Sequence, residues 1–339
     1  MKTDYKSIKL EKGMYQDKNK SFSEILEELD PTENYQGTPL YNLDAFQRQL
    51  KRFNIRVQGR NADNVEKFFS TTEAQALFPE YISRSINAGI EEENDLKSLV
   101  ANTIKIDSLS YKNMFIENSK DKENKDVEAI KEGEQIPEIK ISLKEHAIPL
   151  KKIGSMLTCS YETLQYQKIP AFNLALKQIG KNFNNILFKD AVKTIIDGDG
   201  NKNEAPKISF KQKLTYKSLI DVWAKLKPYN MKTLIVSPDA MQILLTLPEF
   251  LNPQTGINFQ GTGSLNNLLG AKIIYSKLID KITIVAVDKD FSLNHIIAQY
   301  LNIESDKIID KQINKSVITM RYAFTKLFKE ASSVSIFDA

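Results

Sequence analysis

The sequence predicts a mixed α+β chain, and three observations support this prediction. In residues 139–144, isoleucine and leucine alternate with lysine and serine, the period-2 pattern of a β-strand with one apolar face. Residues 170–196 repeat apolar side chains at helical spacing over ~40 Å, longer than the average globular helix. Beyond residue 206, predicted helices and strands alternate, which is typical of an α/β segment.

Length and composition limit the class of protein. The chain has 339 residues, 41% of them hydrophobic and 27% charged, enough to bury one large core or two smaller ones. No run reaches the ~18 apolar residues of a membrane span, and the first residues lack the apolar core of a secretion signal. The single cysteine, Cys159, excludes disulfides within the chain, so we expect a protein made inside the cell.

Residues 1–74 are predicted to form an N-terminal arm. Residues 21–30 and 43–57 each have the pattern of a short helix, separated by turn-forming residues. The apolar stripe of the second helix needs a surface to lie on, which is either the body of the same chain or a neighbouring copy.

A basic cluster lies in and after the second predicted helix. Between residues 43 and 60 only Asp44 offsets its charge. The cluster is either a solvated or salt-bridged helix face, or a sequence-independent contact with a phosphate backbone. Its members are Arg48, Lys51, Arg52, Arg56 and Arg60.

Two predicted strands, residues 104–116 and 136–150, flank a highly charged segment and predict a long hairpin. About twelve residues per strand give a length of ~40 Å. A two-stranded hairpin alone is marginal in water, so it is expected to rest on another copy of the chain. The charged residues predicted to make that contact are Lys131, Glu132, Glu134, Glu138, Lys140 and Lys144.

No catalytic, cofactor or metal site is predicted. Residues 197–208 imitate the start of a calcium loop, but Lys202 and Ile208 stand where glycine and glutamate are required. The glycine-rich residues 261–270 lack a phosphate-binding pattern. Cys159 follows His146 by thirteen residues, but no third residue is present to orient such a pair.

The order of these parts resembles that of tailed-phage major capsid proteins of the Hong Kong 97 fold. The resemblance spans about residues 75–339, and five short motifs in the family's order carry it. They are AIKEGEQIPEIKISLKEHAIPLKKIG at 129–154, TCSYETL at 158–164, IIDGDG at 195–200, LIVSPDAMQIL at 234–244 and LLGAKIIYS at 268–276.

The resemblance implies a division into an arm, a hairpin called the E-loop, a peripheral domain with a long spine helix, and an α/β axial domain. The implied boundaries are 1–74 for the arm, 75–105 for the start of the peripheral domain, 106–152 for the E-loop, 153–205 for the peripheral domain with the spine helix, 206–305 for the axial domain, and 306–339 for the C-terminal peripheral strands.

The implied function is structural. Copies are expected to form hexamers and pentamers of an icosahedral virion capsid around double-stranded DNA, bound without sequence specificity. Other implied partners are a portal protein and, where the phage has them, separate scaffolding and decoration proteins, with assembly in the host bacterial cytoplasm and no membrane or cofactor.

Three alternatives stay open at this point. An encapsulin, a cellular shell of the same fold, is disfavoured by the long charged arm. A soluble α/β enzyme is disfavoured by the absence of a recognisable catalytic constellation in the sequence. A DNA-binding protein would require steeply salt-dependent binding by the single chain, whereas a net charge of +4 is only mildly basic.

Overall fold

The computed structural model describes residues 5–16, 20–92, 95–117, 130–132, 140–251 and 267–338. The fold divides into two compact units. Unit 1 comprises residues 1–93, 152–184 and 299–320, and unit 2 comprises residues 94–151, 185–298 and 321–339.

The described helices confirm the helices predicted from periodicity. The long helix spans 29 residues and includes the whole predicted range. The α-helices are α1 (Phe22–Leu29), α2 (Ala45–Arg52), α3 (Thr72–Gln75), α4 (Phe78–Glu92), α5 (Tyr161–Tyr166), α6 (Ile169–Asp197), α7 (Tyr216–Lys225), α8 (Pro238–Thr246), α9 (Pro248–Leu251) and α10 (Lys289–Ser292).

The strands also follow the prediction, with one correction. Residues 295–303, expected to be a connection, lie inside a 16-residue strand because their apolar residues are buried in a sheet. The strands are β1 (Val100–Lys105), β2 (Ser110–Tyr111), β3 (Met114–Glu117), β4 (Lys140–Leu143), β5 (Ile148–Pro149), β6 (Lys151–Ser160), β7 (Lys207–Phe210), β8 (Thr233–Val236), β9 (Asn267–Leu268), β10 (Ala271–Tyr275), β11 (Thr283–Val287), β12 (Leu293–Ile308), β13 (Ile313–Lys326) and β14 (Ser332–Phe337).

In unit 1, the N-terminal residues pack on the body of their own chain. Ser21 and Asp44 cap α1 and α2 with reciprocal capping boxes, which fix where both helices begin. The apolar stripe of α2, including Phe46 and Leu50, is buried. The stripe predicted to need a surface therefore finds it within the same chain.

Arg48 corrects part of the predicted basic surface. Its side chain is 0% exposed and its Nε donates a 2.5 Å hydrogen bond to the equally buried carboxylate of Asp30. The guanidinium also donates to the carbonyl oxygens of Asp30 and Leu43 and to the hydroxyl of Thr32. Arg48 is therefore not available to phosphate or to a neighbouring chain, because its donors are used to join α2 to the end of α1.

Helices α4 and α6 approach each other closely within unit 1 at two glycines. A Cβ placed on Gly180 would lie 2.2 Å from the carbonyl oxygen of Ile86, and one on Gly89 would lie 2.2 Å from that of Lys177. Real Cβ atoms do not approach backbone oxygens this closely, so the two glycines set the separation of the helices.

Unit 2 is built on a six-stranded sheet in the order β7-β14-β11-β8-β10-β9. β11 runs antiparallel to both β8 and β14, whereas β8 and β10 are parallel. Apolar residues of α7, α8 and the sheet form one buried cluster. The C-terminal strand β14 lies inside this sheet, whereas β13 belongs to another sheet, so the predicted segment 306–339 is divided between two sheets.

A second sheet contains β12, β13 and β6 in that order, with β6 at its edge. In unit 2, β1 pairs in parallel with the first residues of β12, where Thr103 lies opposite His295. His295 is buried and stacks on Phe324 at a ring separation of 4.7 Å. Burial lowers its pKa to about 4, because the low-dielectric interior disfavours the charged imidazolium.

We expect Gly180→Ala to lower the free energy of unfolding by about 1–3 kcal/mol or more, because the added methyl group forces α4 and α6 apart. Chemical denaturation monitored by circular dichroism measures the loss. Gly13→Ala is the control, since no atom lies within 4 Å of the added Cβ there. Equal stability of the two variants would contradict the close crossing.

Arg48→Met should cost about 3–5 kcal/mol of stability, because it leaves the buried carboxylate of Asp30 without its cation. Lys51→Met, on the exposed face of the same helix, should change stability by no more than ~0.5 kcal/mol. Urea unfolding of both variants checks the difference. A fully stable Arg48→Met protein would show that the buried pair does not hold this segment.

His295 should make stability depend on pH. Its folded-state pKa of about 4 lies below the ordinary 6.5, so the unfolded chain binds the proton more tightly. The contribution of neutral His295 to the free energy of unfolding is complete above pH ~6.5. It is lost as the pH falls towards ~4, and the loss is about 3 kcal/mol at most.

Urea unfolding across this pH range should show that the free energy of unfolding of His295→Phe changes less with pH than that of the unmodified chain. His146→Phe, which removes the exposed histidine, is the matched control. Identical slopes for both variants would show that His295 does not titrate in this way.

Candidate functional site

The predicted hairpin is present in unit 2 as two short antiparallel ladders. β3 pairs with β4 in the register Met114 to Leu143 and Ile116 to Ile141. Nearer the body of unit 2, β2 pairs with β5, with Ser110 opposite Pro149. Most of the segment between β3 and β4 lies outside the described residues, so the ~40 Å length stays a prediction.

One face of the β3–β4 ladder is apolar and exposed. Because paired residues share a face of a two-stranded ladder, Met114, Leu143 and Ile141 lie on the same side. These three side chains are 59%, 61% and 67% exposed, respectively. The alternation in the sequence predicted an apolar face here, and in the described part of the chain these three side chains are exposed. We refer to Met114, Ile141 and Leu143 as the hairpin face.

The base of the hairpin is fixed by an interaction centred on the backbone of Lys326, at the end of β13. Its carbonyl oxygen accepts hydrogen bonds from Asn113 Nδ2 at 3.3 Å, Lys144 Nζ at 2.7 Å and Asn203 Nδ2 at 3.2 Å. Its N–H donates to Asp199 Oδ2 at 2.9 Å. We call Asn113, Lys144, Asp199, Asn203 and Lys326 the Lys326 hub.

The charge of Asp199 acts on two lysines of this hub, of which Lys326 is buried and Lys144 is partly buried. The Lys326 side chain is buried, and its Nζ donates to the carbonyl oxygen of Ile195 at 2.8 Å. Burial lowers the pKa of Lys326 to about 8, and the negative charge of Asp199 opposes this shift. Burial also lowers the pKa of Lys144, whose Nζ lies 3.8 Å from Asp199 Oδ2.

The hub corrects one predicted contact residue and explains the apparent calcium loop. Lys144 was predicted to contact a neighbouring copy, but its ammonium group is turned inward onto Lys326 and Asp199. Asp199 accepts from the N–H groups of Lys326 and Asn201, while Asn203 caps the same turn. These polar groups therefore hold a helix-terminating turn in place.

The other predicted contact residues fall into three groups. Lys131 and Glu132 are exposed, and Lys140 lies in β4. Glu134 and Glu138 lie outside the described residues. The hairpin face, which sequence reasoning did not single out as a contact, could have been found from its period-2 pattern.

The remaining arm residues differ in their exposure. Arg52 is half-buried, donating to the carbonyl oxygen of Ile8 and forming a 2.9 Å ion pair with Glu73. Lys51, Arg56 and Arg60 are exposed on unit 1. The predicted cluster of five is thus reduced to three residues with charges on the surface.

The chemistry of Cys159 is that of a buried side chain. Burial raises the pKa of its thiol, which is the opposite of what a cysteine nucleophile needs. Within the described ranges, no three histidine, cysteine or acidic side chains are grouped closely enough to hold a metal ion. Nor does any helix in that part of the chain have the length and apolarity needed to cross a membrane.

The fold resembles two solved capsid structures. The capsid of the native GTA particle superposes with a TM-score of 0.51 and 12% identity, covering 72% of this chain and 91% of the other. The capsid structure of Cyanophage P-SCSP1u superposes with a TM-score of 0.53 and 13% identity. That match covers 70% of this chain and 86% of the other. At these identities the likeness shows the fold, which is the predicted Hong Kong 97-type α+β capsid fold.

The sequence itself assigns the family. No curated protein matches the chain. The phage capsid protein family matches residues 144–325, from the base of the hairpin to the end of β13 and over more than half of the chain. The function of the chain is therefore structural: it is a subunit of the virion capsid and assembles with copies of itself. The chain belongs to the phage capsid protein family.

Proposed function

We propose that the chain builds the hexamers and pentamers of an icosahedral shell around double-stranded DNA, and that the hairpin makes the principal contact between subunits. The exposed hairpin face carries this proposal. Burying one such side chain contributes about 1.5–3 kcal/mol, and a neighbouring copy is the surface that a shell supplies.

The hairpin is suited to this role because it is anchored at one end. Asn113 and Lys144 flank the β3–β4 ladder and bind the Lys326 hub, so the ladder is presented from a fixed base. A contact surface held in advance loses less conformational entropy on association than a flexible one. Each subunit contributes its hairpin to one neighbour and a different surface to the hairpin of another neighbour. Such an interface is heterologous, and it generates closed rings.

The three exposed basic residues on unit 1 are proposed to contact the packaged DNA or a neighbouring subunit. Lys51, Arg56 and Arg60 retain exposed charges, and contact with phosphates requires charge without base readout. Arg48 is excluded because it is buried, and Arg52 is excluded because its guanidinium is already used within the unit.

Further partners are proposed from the family's architecture. They are a portal protein and, where the phage has them, separate scaffolding and decoration proteins, with assembly in the host bacterial cytoplasm. The six-stranded sheet of unit 2 is proposed to be the axial domain, extended by β14 beyond the predicted range 206–305.

The proposed function predicts that the purified chain assembles. We expect closed particles, tubes or hexamer-sized rings in negative-stain microscopy, with matching masses in mass photometry. The variant Met114→Ser, Ile141→Thr, Leu143→Thr should fold normally but lose at least about tenfold in assembled mass at equal concentration, because the apolar contact is removed.

The matched control replaces three exposed apolar residues elsewhere, Ile220, Leu278 and Ile309, with threonine. It should assemble like the unmodified chain. Normal shells from the hairpin variant would contradict the role of the hairpin face, and a stable monomer of the unmodified chain, alone and with a co-expressed scaffolding protein, would contradict the proposed function.

A further inference from the structure

A cleft of about 510 Å³ lies within unit 1, and its lining combines aromatic and acidic side chains. The aromatic part comprises Tyr15, Phe69 and Phe78 from the N-terminal third of the chain. The polar part comprises residues 302–306 of β12 and Asn314 of β13. This volume is in the range of pockets that hold small molecules, so the chemistry of the lining indicates what the cleft can bind.

The aromatic part is held in place by contacts within the unit. The Tyr15 hydroxyl donates a 2.7 Å hydrogen bond to the carbonyl oxygen of Ala76, and the Tyr15 ring stacks on Phe22 with centroids 4.4 Å apart. The rings of Phe69 and Phe78 pack against each other at 4.9 Å. Aromatic rings fixed in this way offer apolar contact to an aliphatic chain and negative ring faces to a cation.

Two carboxylates of β12, those of Glu304 and Asp306, supply oriented acceptors. They are two residues apart in a strand, so they lie on the same face with Cα atoms ~6.6 Å apart. Glu304 Oε1 accepts a 2.9 Å hydrogen bond from Asn302 Nδ2, and Asp306 Oδ1 accepts a 2.8 Å hydrogen bond from the N–H of Lys307. Among the described residues, the second oxygen of each carboxylate has neither a hydrogen-bond donor nor an ion-pair partner.

Asn314 adds a buried acceptor to the same cleft. The residue is only 4% exposed, and within the described part of the chain its Oδ1 has no hydrogen-bond partner. A buried amide oxygen without a donor is costly, and most such groups in native proteins are paired. A ligand that donates N–H groups would satisfy Asn314 and both carboxylates together.

Other classes of ligand fit the lining less well. An anion is disfavoured, because the cleft is lined by two carboxylates and no lining residue is lysine, arginine or histidine. A metal ion is disfavoured, because the described ranges contain no group of three histidine, cysteine or acidic side chains that could hold one. A cation already lies close to the aromatic part, since Lys307 Nζ is 5.0 Å from the centroid of the Phe69 ring.

We propose that this cleft binds a short aliphatic diamine or polyamine. Its ammonium groups donate to the free oxygens of Glu304 and Asp306 and to Asn314 Oδ1, and its methylene chain lies on the aromatic rings. An extended four-carbon chain separates its two nitrogens by about the spacing of alternate residues in a strand. The site goes beyond the proposed function and does not depend on it.

Ligand-observed NMR of the purified full-length chain tests the site. Saturation-transfer difference spectra at low salt should show saturable binding of 1,4-diaminobutane. The monocation butylamine should bind at least about threefold more weakly because it has one charge fewer, and uncharged 1,4-butanediol should show no saturable binding. Equal binding of butylamine and the diamine would overturn the proposal.

Matched variants locate the binding. Glu304→Gln and Asp306→Asn should each weaken binding of 1,4-diaminobutane about threefold or more. Asp310→Asn, which removes an exposed carboxylate in the turn after β12, should leave binding unchanged. Equal affinities of Asp306→Asn and Asp310→Asn would show a non-specific attraction to acidic surface and overturn the site.

A third probe separates a free diamine from a protein side chain. N-acetyl-lysine methylamide carries one ammonium group on a four-carbon stem, as a lysine of a protein partner does. Tighter binding of this probe than of 1,4-diaminobutane would overturn the diamine as the ligand. If a variant does not fold, as judged by urea unfolding, the comparison of the three amines and the diol on the unmodified chain decides. Assembly is measured separately, so failure of this inference leaves the proposed function intact.

Discussion

The buried carboxylate of Asp199 and the backbone of Lys326 form the interaction on which the arrangement of unit 2 depends. They join the turn after α6, the end of β13 and the base of the hairpin at one point. Charges inside a protein are costly unless paired and hydrogen-bonded, and here Lys144 and Lys326 both depend on Asp199. These charged groups can be buried only when the turn, the end of β13 and the base of the hairpin are all in place. The hub therefore defines the relative positions of these three parts more than it adds to stability.

This constraint explains how a marginal hairpin becomes a usable contact surface. A two-stranded ladder with one exposed apolar face has little stability of its own. The hub fixes the ladder at Asn113 and Lys144 and leaves the hairpin face outward. Polar interactions thus position the hairpin, and its apolar face remains exposed for association. This arrangement suits a subunit that functions in an assembly with its neighbours.

The sequence predicted the parts that depend on local patterns. The 29-residue helix, the alternating strands and both capped N-terminal helices follow from periodicity and from cap residues such as Ser21 and Asp44. It failed where long-range packing decides. Burial of Arg48 depends on Asp30, eighteen residues away, and β12 lacks strict alternation because both of its faces are covered over the first five residues. The close helix crossing at Gly89 and Gly180 has no local signal either.

The candidate contacts show the same limit at the level of single side chains. Charge density drew attention to Lys144 and Arg48, yet burial turns both inward because each completes an ion pair within its own unit. The more informative signal was the apolar half of the alternation at Ile141 and Leu143, because both side chains are exposed among the described residues and an exposed apolar patch is typical of an interaction surface. In a shell this contact is repeated at every subunit, so an interface of modest strength is sufficient when copy number multiplies it.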